Sequence, residues 1–431
     1  MSFLSDFRAS IPVDRLTVAE TITSSAAPHR AVGARGRRLF AQLRLWRRAN
    51  HPRMERFYWR HLKPLAALAL ILWYTPRYAQ VVRRRFGVPV FEQIVQQCRL
   101  GFRDWVNPRC YYFHEHYRRP ERIWGPVDCS AYVMRHEIKE GLLRALHKLR
   151  PKPHGVRINL GHKLAFAAIC TRFGLPAPTI GAIVHAGRIA VHDRTTLSGD
   201  LFVKPEKGRG AIGAEAFRRR ADGRFAIGDD AVSLADLLDS LAAEARRTPK
   251  LVQPLLKNHP AIADLAEQSL VTFRIITCLS RAEQPIVTHA MLRTISKLEP
   301  NWHGSDEYAA PVDLATGRLG VMCGDTAIGP QHWYGIHPVT GAPVTGRIVP
   351  LWSEIRALAV RAHTVFADRL IVGWDIALTP EGPVLIEGNS YPDTEFLQRV
   401  HRQPIGESPL GPLLTHHLGR LEALRGGFRA G

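Results

Sequence analysis

Residues 371–389 read IVGWDIALTPEGPVLIEGN. Two apolar runs flank Pro380-Glu381-Gly382, and a three-residue hairpin loop with glycine in the left-handed position is a favoured connection. If Thr379 faces Pro383 across that loop, Asp375 faces Glu387, and both point to one side of the sheet with Asn389 two residues further on. A loop one residue longer or shorter would separate them, because side chains alternate faces along a strand. Acids that interrupt apolar strands are seldom buried without a partner. Two carboxylates and a carboxamide oxygen on one face make a hard, all-oxygen site of the kind that suits magnesium bridging nucleotide phosphates. Asp375, Glu387 and Asn389 are therefore the candidate metal ligands.

Upstream, FVKPEKGRGAIGAEAF (202–217) places Lys204 at the end of a predicted strand, ahead of Gly208, Gly210 and Gly213. A lysine there supplies a point charge for phosphate, and a glycine-rich loop lets backbone N–H groups approach phosphate oxygens. Alone the segment reads as a plain hairpin, with strands at 201–203 and 214–217. No helix follows it, as a Walker loop would require. Lys163 opens a predicted helix over 163–173 that ends at Gly174, a position where a cation opposes the helix dipole unless an anion sits nearby. Residues 251–256 (LVQPLL) form an extended apolar segment broken at Pro254, a strand leading into a hinge. In 272–277 (TFRIIT), Thr272, Arg274 and Ile276 share one face of a strand. An arginine on a half-buried strand needs an anionic partner or an exit to water, and its fork matches phosphate. Further amphipathic helices are predicted at 234–245 and 355–366.

Taken in order, Lys163, the Lys204-Pro205 segment with its glycines, LVQPLL, TFRIIT, GWD and IEGN resemble the ATP-grasp superfamily. The wording of 371–389, with VTFRIIT upstream, looks like the branch associated with sugar transfer and cell-surface polysaccharide genes, which is related to glutamate ligases. The similarity runs over about residues 155–400. It implies an α+β ATP-grasp fold in which two α/β subdomains sandwich ATP. It also implies that Lys163 and Lys204 contact ATP phosphates beneath the 208–213 loop, that Gln253 and Leu255 line the adenine, and that Arg274 stabilises the transferring phosphoryl group. Asp375, Glu387 and Asn389 would bind Mg2+. The implied activity is that of an ATP-dependent carboxylate-amine ligase working through an acyl phosphate, on an unknown carboxylate or sugar-linked substrate. A kinase-like phosphoryl transferase and a catalytically silent module are the alternatives. One departure stands out: SKLEPNWHGSDEYAAPVD (296–313) lacks the doubled glycine expected of this branch, which bears on the substrate-side loop.

The chain of 431 residues is long enough for two or three domains, and its 45% hydrophobic and 23% charged residues argue against wholesale disorder. The reading divides it into a basic, mainly helical N-terminal region (1–150) and a catalytic domain (151–425). Of the formal charge of +21, the first 150 residues hold +17, with 28 Lys and Arg against 11 Asp and Glu. An excess confined to one end marks an acidic partner, and the basic, aromatic stretch 35–60 could form an amphipathic helix on an anionic membrane surface. No nucleic-acid signature accompanies it, so nucleic acid is not the expected partner. Residues 64–74 (PLAALALILWY) form the most apolar run, too short to span a bilayer and expected to be a buried or interfacial helix. The helices of 89–149 are broken by Asn-Pro, Arg-Pro and Gly-Pro pairs. Six scattered cysteines without a C-x-x-C pair, and no secretory signal in the first twenty residues, point to a reducing, cytoplasmic setting.

Overall fold

Helix α1 (Lys63–Phe86) opens the part of the chain that the computed structural model describes, which comprises residues 63–103, 108–119, 123, 132–133, 146–147, 150, 159–207, 213–227, 230–267, 269–295, 307–324 and 333–424. The basic stretch 35–60 lies outside the described residues. Along α1, Ala66, Leu70, Tyr74 and Tyr78 recur every four residues and are buried, the spacing of one helical stripe. They pack against α2 (Val90–Cys98) and α3 (Pro108–Phe113). Within this bundle Gln96 accepts a 2.6 Å hydrogen bond from the Tyr111 hydroxyl, and Gln97 donates to the Thr75 hydroxyl at 3.0 Å. The opposite face of α1 exposes Leu65, Leu68, Leu72 and Trp73. Residues 64–74 thus form one half-buried stripe of a longer helix, and no helix among the described residues is long and apolar enough to cross a membrane.

Helix α4 (Lys163–Arg172) leads into the smaller α/β unit. Gly174 (φ 61°) ends it in the left-handed conformation that glycine tolerates best. Strands β1 (Ala182–His185), β2 (Arg188–Val191), β3 (Leu201–Pro205), β4 (Glu215–Phe217) and β7 (Lys250–Pro254) form an antiparallel sheet in the order β2-β1-β7-β3-β4, while β5 (Phe225–Ile227) and β6 (Asp230–Val232) pair by themselves. Helix α5 (Leu234–Glu244), capped by the Ser233 hydroxyl on the Asp236 N–H, lays Leu237, Leu238 and Leu241 against Val184, Leu201 and Val203.

The larger unit is a seven-stranded sheet of order β12-β11-β10-β9-β8-β13-β14. Its strands are β8 (Thr272–Leu279), β9 (Pro285–Ile295), β10 (Glu307–Pro311), β11 (Met322–Gly324), β12 (Trp333–Tyr334), β13 (Ile371–Thr379) and β14 (Gly382–Asn389). Helix α6 (Trp352–Val365) covers one face, where Ile355, Leu358 and Ala362 meet Phe273, Ile275, Trp374 and Ile376. Helices α7 (Thr394–His401) and α8 (Leu410–Leu424) cover part of the other, over Ile276, Cys278 and Ile371. Alternation leaves Arg274 and Asp375 on this second face, beyond the helices. Helix α4 belongs to the larger core, with Phe166 stacked on Phe366 at 5.5 Å, yet its first residue reaches the small sheet. Here are two α/β units with a helical N-terminal region, as expected.

The hairpin corrects one premise. Thr379 pairs with Gly382 rather than Pro383, so the loop is Pro380-Glu381 and one residue shorter than the three-residue form. A bulge follows: Ile376 pairs with Leu385 but Asp375 with Glu387, leaving Ile386 as the extra residue. The bulge restores the register that the shorter loop would have lost, and the two carboxylates face each other as expected.

Candidate functional site

A row of charged residues runs across the uncovered face of the large sheet, two arginines between acids. Asp375 pairs in register with Arg274 on β8 and with Glu387 on β14, while Arg293 on β9 stands opposite Thr272. The Arg274 guanidinium donates to both Asp375 oxygens, through Nε and, at 2.9 Å, through Nη2. Arg293 donates to Glu307 on β10 and reaches Asp375 Oδ1 at 3.5 Å. Asn389 donates to Glu387 Oε1 at 3.2 Å and to Asp375 Oδ2 at 3.5 Å. The three candidate ligands therefore converge, and the arginine predicted to need an anionic partner has one in Asp375.

Burial penalises both carboxylates, with opposite outcomes. For Asp375, Arg274 and Arg293 outweigh it and hold the carboxyl below its ordinary range. For Glu387, burial and the adjacent Asp375 charge both act upward, and the carboxyl is raised. Two acids with diverging proton affinities in one site is the signature of a like-charge pair lacking full neutralisation.

Lys163 at the start of α4 and Lys204 on β3 of the small sheet lie within electrostatic reach of Glu387. Lys163 Nζ donates to the Glu206 carbonyl at 3.3 Å. Burial lowers both ammonium pKa values, Lys204 to about 8, and Glu387 acts against that lowering in each case. Lys163 also depresses Lys204, so the two cations lie close enough to repel. Two half-buried cations side by side suit a polyphosphate ligand.

Other predicted residues are placed as follows. The buried Gln253 turns its amide to the carbonyls of Pro178 (3.1 Å) and Thr179 (3.5 Å), tying β7 to the segment before β1. The Leu255 N–H donates to the Asp200 carbonyl at 2.8 Å. Gly213 has φ 73°, and a Cβ there would lie 3.2 Å from Pro205, so this turn needs glycine. Gly208 and Gly210 lie outside the described residues. The sequence reading missed Arg293, Glu307 and Glu206. The arginine and Glu307 carried the signal that identified Arg274, a charge inside an apolar strand. Glu206 is buried two residues after Lys204 and forms a 3.1 Å pair with His162.

Among the described residues no group of three or more His, Cys, Asp and Glu is placed to hold a metal ion by itself. Two acids and a carboxamide are what the sheet offers, and that set fits a hard divalent cation that completes its shell with phosphate oxygens and water. The raised proton affinity of Glu387 reflects its burial and the adjacent Asp375 charge, both of which a bound cation would offset.

No curated protein matches the sequence. Among solved structures, the chain is similar to D-alanyl-alanine synthetase A from Vibrio cholerae (11% identity, TM-score 0.38, covering 62% of this chain and 66% of that one). It is also similar to the VanG D-Ala:D-Ser ligase from Enterococcus faecalis (15%, 0.35, 61% and 61%) and to the ATP-grasp ligase PsnB complexed with minimal precursor, Mg and ADP (14%, 0.32, 61% and 59%). The chain thus spans under two thirds of the length of each of the three. The family model of the sugar-transfer associated ATP-grasp proteins matches residues 147–406, more than half of the chain, which therefore belongs to that family.

Proposed function

We propose that the protein is an ATP- and magnesium-dependent ligase that activates a carboxylate for amide formation, on a sugar-linked substrate of cell-surface polysaccharide synthesis. The observation that carries this reading is the approach of Lys163, at the start of α4, and Lys204, on the small sheet, to Glu387 on the large sheet. Lys163 and Lys204 would bind the nucleotide phosphates, with the 208–213 loop above them and the 253–255 segment beside the adenine. Asp375, Glu387 and Asn389 would hold the cation, which when bound screens phosphate charge and orients the β- and γ-phosphates. Arg274 and Arg293 fix the Asp375 carboxylate, and Arg274 is the residue nearest to that carboxylate for steadying the transferring phosphoryl group. In this scheme the substrate carboxylate oxygen attacks the γ-phosphorus and ADP departs, after which an amine displaces inorganic phosphate from the acyl carbon and loses a proton.

Contact with an anionic membrane surface on its cytoplasmic side belongs to the same reading. It is supported by the N-terminal charge excess and by α1, which exposes Leu65 and Leu72 and ends in Arg83, Arg84 and Arg85. Mass spectrometry after incubation with ATP, magnesium and panels of carboxylates, amines and sugar precursors tests the chemistry. ADP, phosphate and a condensed product are expected. A phosphorylated acceptor without released phosphate would replace the ligase by a kinase, and no nucleotide consumption with any acceptor would favour a silent module.

A further inference from the structure

On the far side of the large sheet from β14, the N-terminal bundle meets α7 and β12 around a cleft partly open to solvent. Six strand-to-strand steps separate β12 from β14, roughly 29 Å along the sheet at about 4.8 Å per step. The cleft is therefore not the nucleotide site.

Among the described residues, four arginines line it, Arg118, Arg119, Arg399 and Arg402, against one carboxylate, Glu115. That carboxylate is already engaged, accepting from Arg118 at 2.9 Å and from the Trp333 indole N–H at 3.1 Å. Arg402 lies 4.7 Å over the Trp333 ring, and Arg119 donates to the Arg402 carbonyl at 3.0 Å. Arg399 is only 3% exposed; its Nη1 donates to the Phe113 carbonyl, but its Nε finds no acceptor among the described residues. A buried guanidinium with an unused donor, beside three more cations and a single acid, has a charge deficit that a bound anion would relieve. Burial and the neighbouring Arg118 and Arg119 push the Arg402 pKa below its ordinary value, which reports the same crowding. The backbone is also shaped here at a cost: Glu115 (φ 53°) and Arg402 (φ 51°), both lining the cleft, are left-handed without being glycine.

We propose that this cleft is a second anion site, separate from the nucleotide site, and that it takes a small phosphate-bearing ligand. An excess of three positive charges exceeds what one carboxylate would balance, and guanidinium forks match phosphate oxygens in pairs.

The test is calorimetric titration of the full chain with inorganic pyrophosphate in magnesium-free buffer, so that no metal bridges the nucleotide site. Lys163→Ala/Lys204→Ala removes binding by the nucleotide lysines and should leave one class of pyrophosphate site. Arg118→Ala/Arg402→Ala, two residues at the cleft mouth, should weaken that class at least tenfold when added to the lysine variant. If the double arginine change unfolds the chain, as circular dichroism would reveal, Arg402→Ala alone replaces it, with at least a threefold loss expected. Malonate in place of pyrophosphate should bind at least tenfold more weakly. The proposal is overturned if the lysine variant binds no pyrophosphate, if the arginine changes leave its affinity within twofold, or if malonate binds equally well. None of these outcomes depends on ligase activity, so the two readings fail separately.

Discussion

Glu387 faces Asp375 across the β13–β14 ladder, and the pair shares a hydrogen bond that favours the charged form of Asp375 and the neutral form of Glu387. The two acids should therefore respond differently to neutralisation. Glu387→Gln keeps size and removes a charge that repels Asp375, so stability to urea should change by less than about 1 kcal/mol. Magnesium-dependent ATP consumption should fall about a hundredfold or more, as for loss of an anionic metal ligand. The control is Glu381→Gln in the turn, which should alter neither quantity. Intact consumption in Glu387→Gln would remove the metal site from this face of the hairpin.

Asp375→Asn is the harsher change. It leaves Arg274, 8% exposed, and Arg293 facing a neutral amide. Breaking a buried ion pair from one side costs about 3–5 kcal/mol. Urea unfolding should show a loss of that order, well above the effect of Glu387→Gln. Equal midpoints for the two variants would mean that the arginines do not depend on Asp375. Asn389→Ala removes a neutral group that water can replace, and activity should fall about tenfold only.

The Lys204 pKa is lowered to about 8, by burial first and also by the neighbouring Lys163 charge, with Glu387 acting against both. Its ammonium form is the one that attracts phosphate, so ATP affinity should be highest below pH 8 and decline as pH rises through that value. Bound polyphosphate would raise the pKa, so binding near pH 8 should take up protons, seen as a buffer-dependent heat in calorimetry. Lys204→Arg keeps its charge throughout and should flatten the profile between pH 7 and 9. A profile equally steep in both proteins would assign the dependence elsewhere.

Much of this was legible in the sequence because the site is built on local rules. Arg274 inside an apolar strand demanded an anion, and alternation along β8 and β13 aims both at one face. The hairpin register was reached by a wrong route. Nothing in PVLIEGN marks Ile386 as a bulge, since an apolar residue there satisfies either pairing. Gln253 illustrates another limit: its amide is consumed by carbonyls 74 and 75 residues away, a contact that strand propensity does not carry. The arginine cleft was invisible for the same reason, because Arg118 and Arg402 are neighbours only once the N-terminal bundle docks on α7.

Gly388, inside the IEGN segment, is required by contact rather than by backbone conformation. A Cβ there would sit 2.6 Å from Cζ3 of Trp374 and 3.1 Å from Leu160. The Trp374 ring is fully buried and its Nε1 donates to the Thr277 hydroxyl at 2.8 Å, so it has little room to yield. Gly388→Ala should cost about 1–3 kcal/mol by overpacking and displace the neighbouring Glu387 and Asn389. Thermal unfolding and magnesium-dependent turnover should fall together. A Gly388→Ala protein as stable as wild type would mean that β14 shifts freely against β13, which the register argument does not allow.

The membrane reading rests on charge and on α1, and the two contributions can be separated. Residues 1–60 hold 12 Lys and Arg against 4 Asp and Glu, and each basic residue near an anionic surface contributes about 1 kcal/mol at most. That term is screened by salt. Leu65 and Leu72, 64% and 65% exposed, would add an apolar term that salt does not screen. Liposomes containing anionic lipid should retain the full chain at low salt and release most of it at high salt. Deleting residues 1–60 should abolish the salt-sensitive part. Leu65→Asp/Leu72→Asp lies on the solvent side of α1, so the circular dichroism spectrum should be unchanged while retention at intermediate salt falls. If the truncated chain and the aspartate variant are both retained as well as wild type, neither the basic segment nor α1 contacts the membrane.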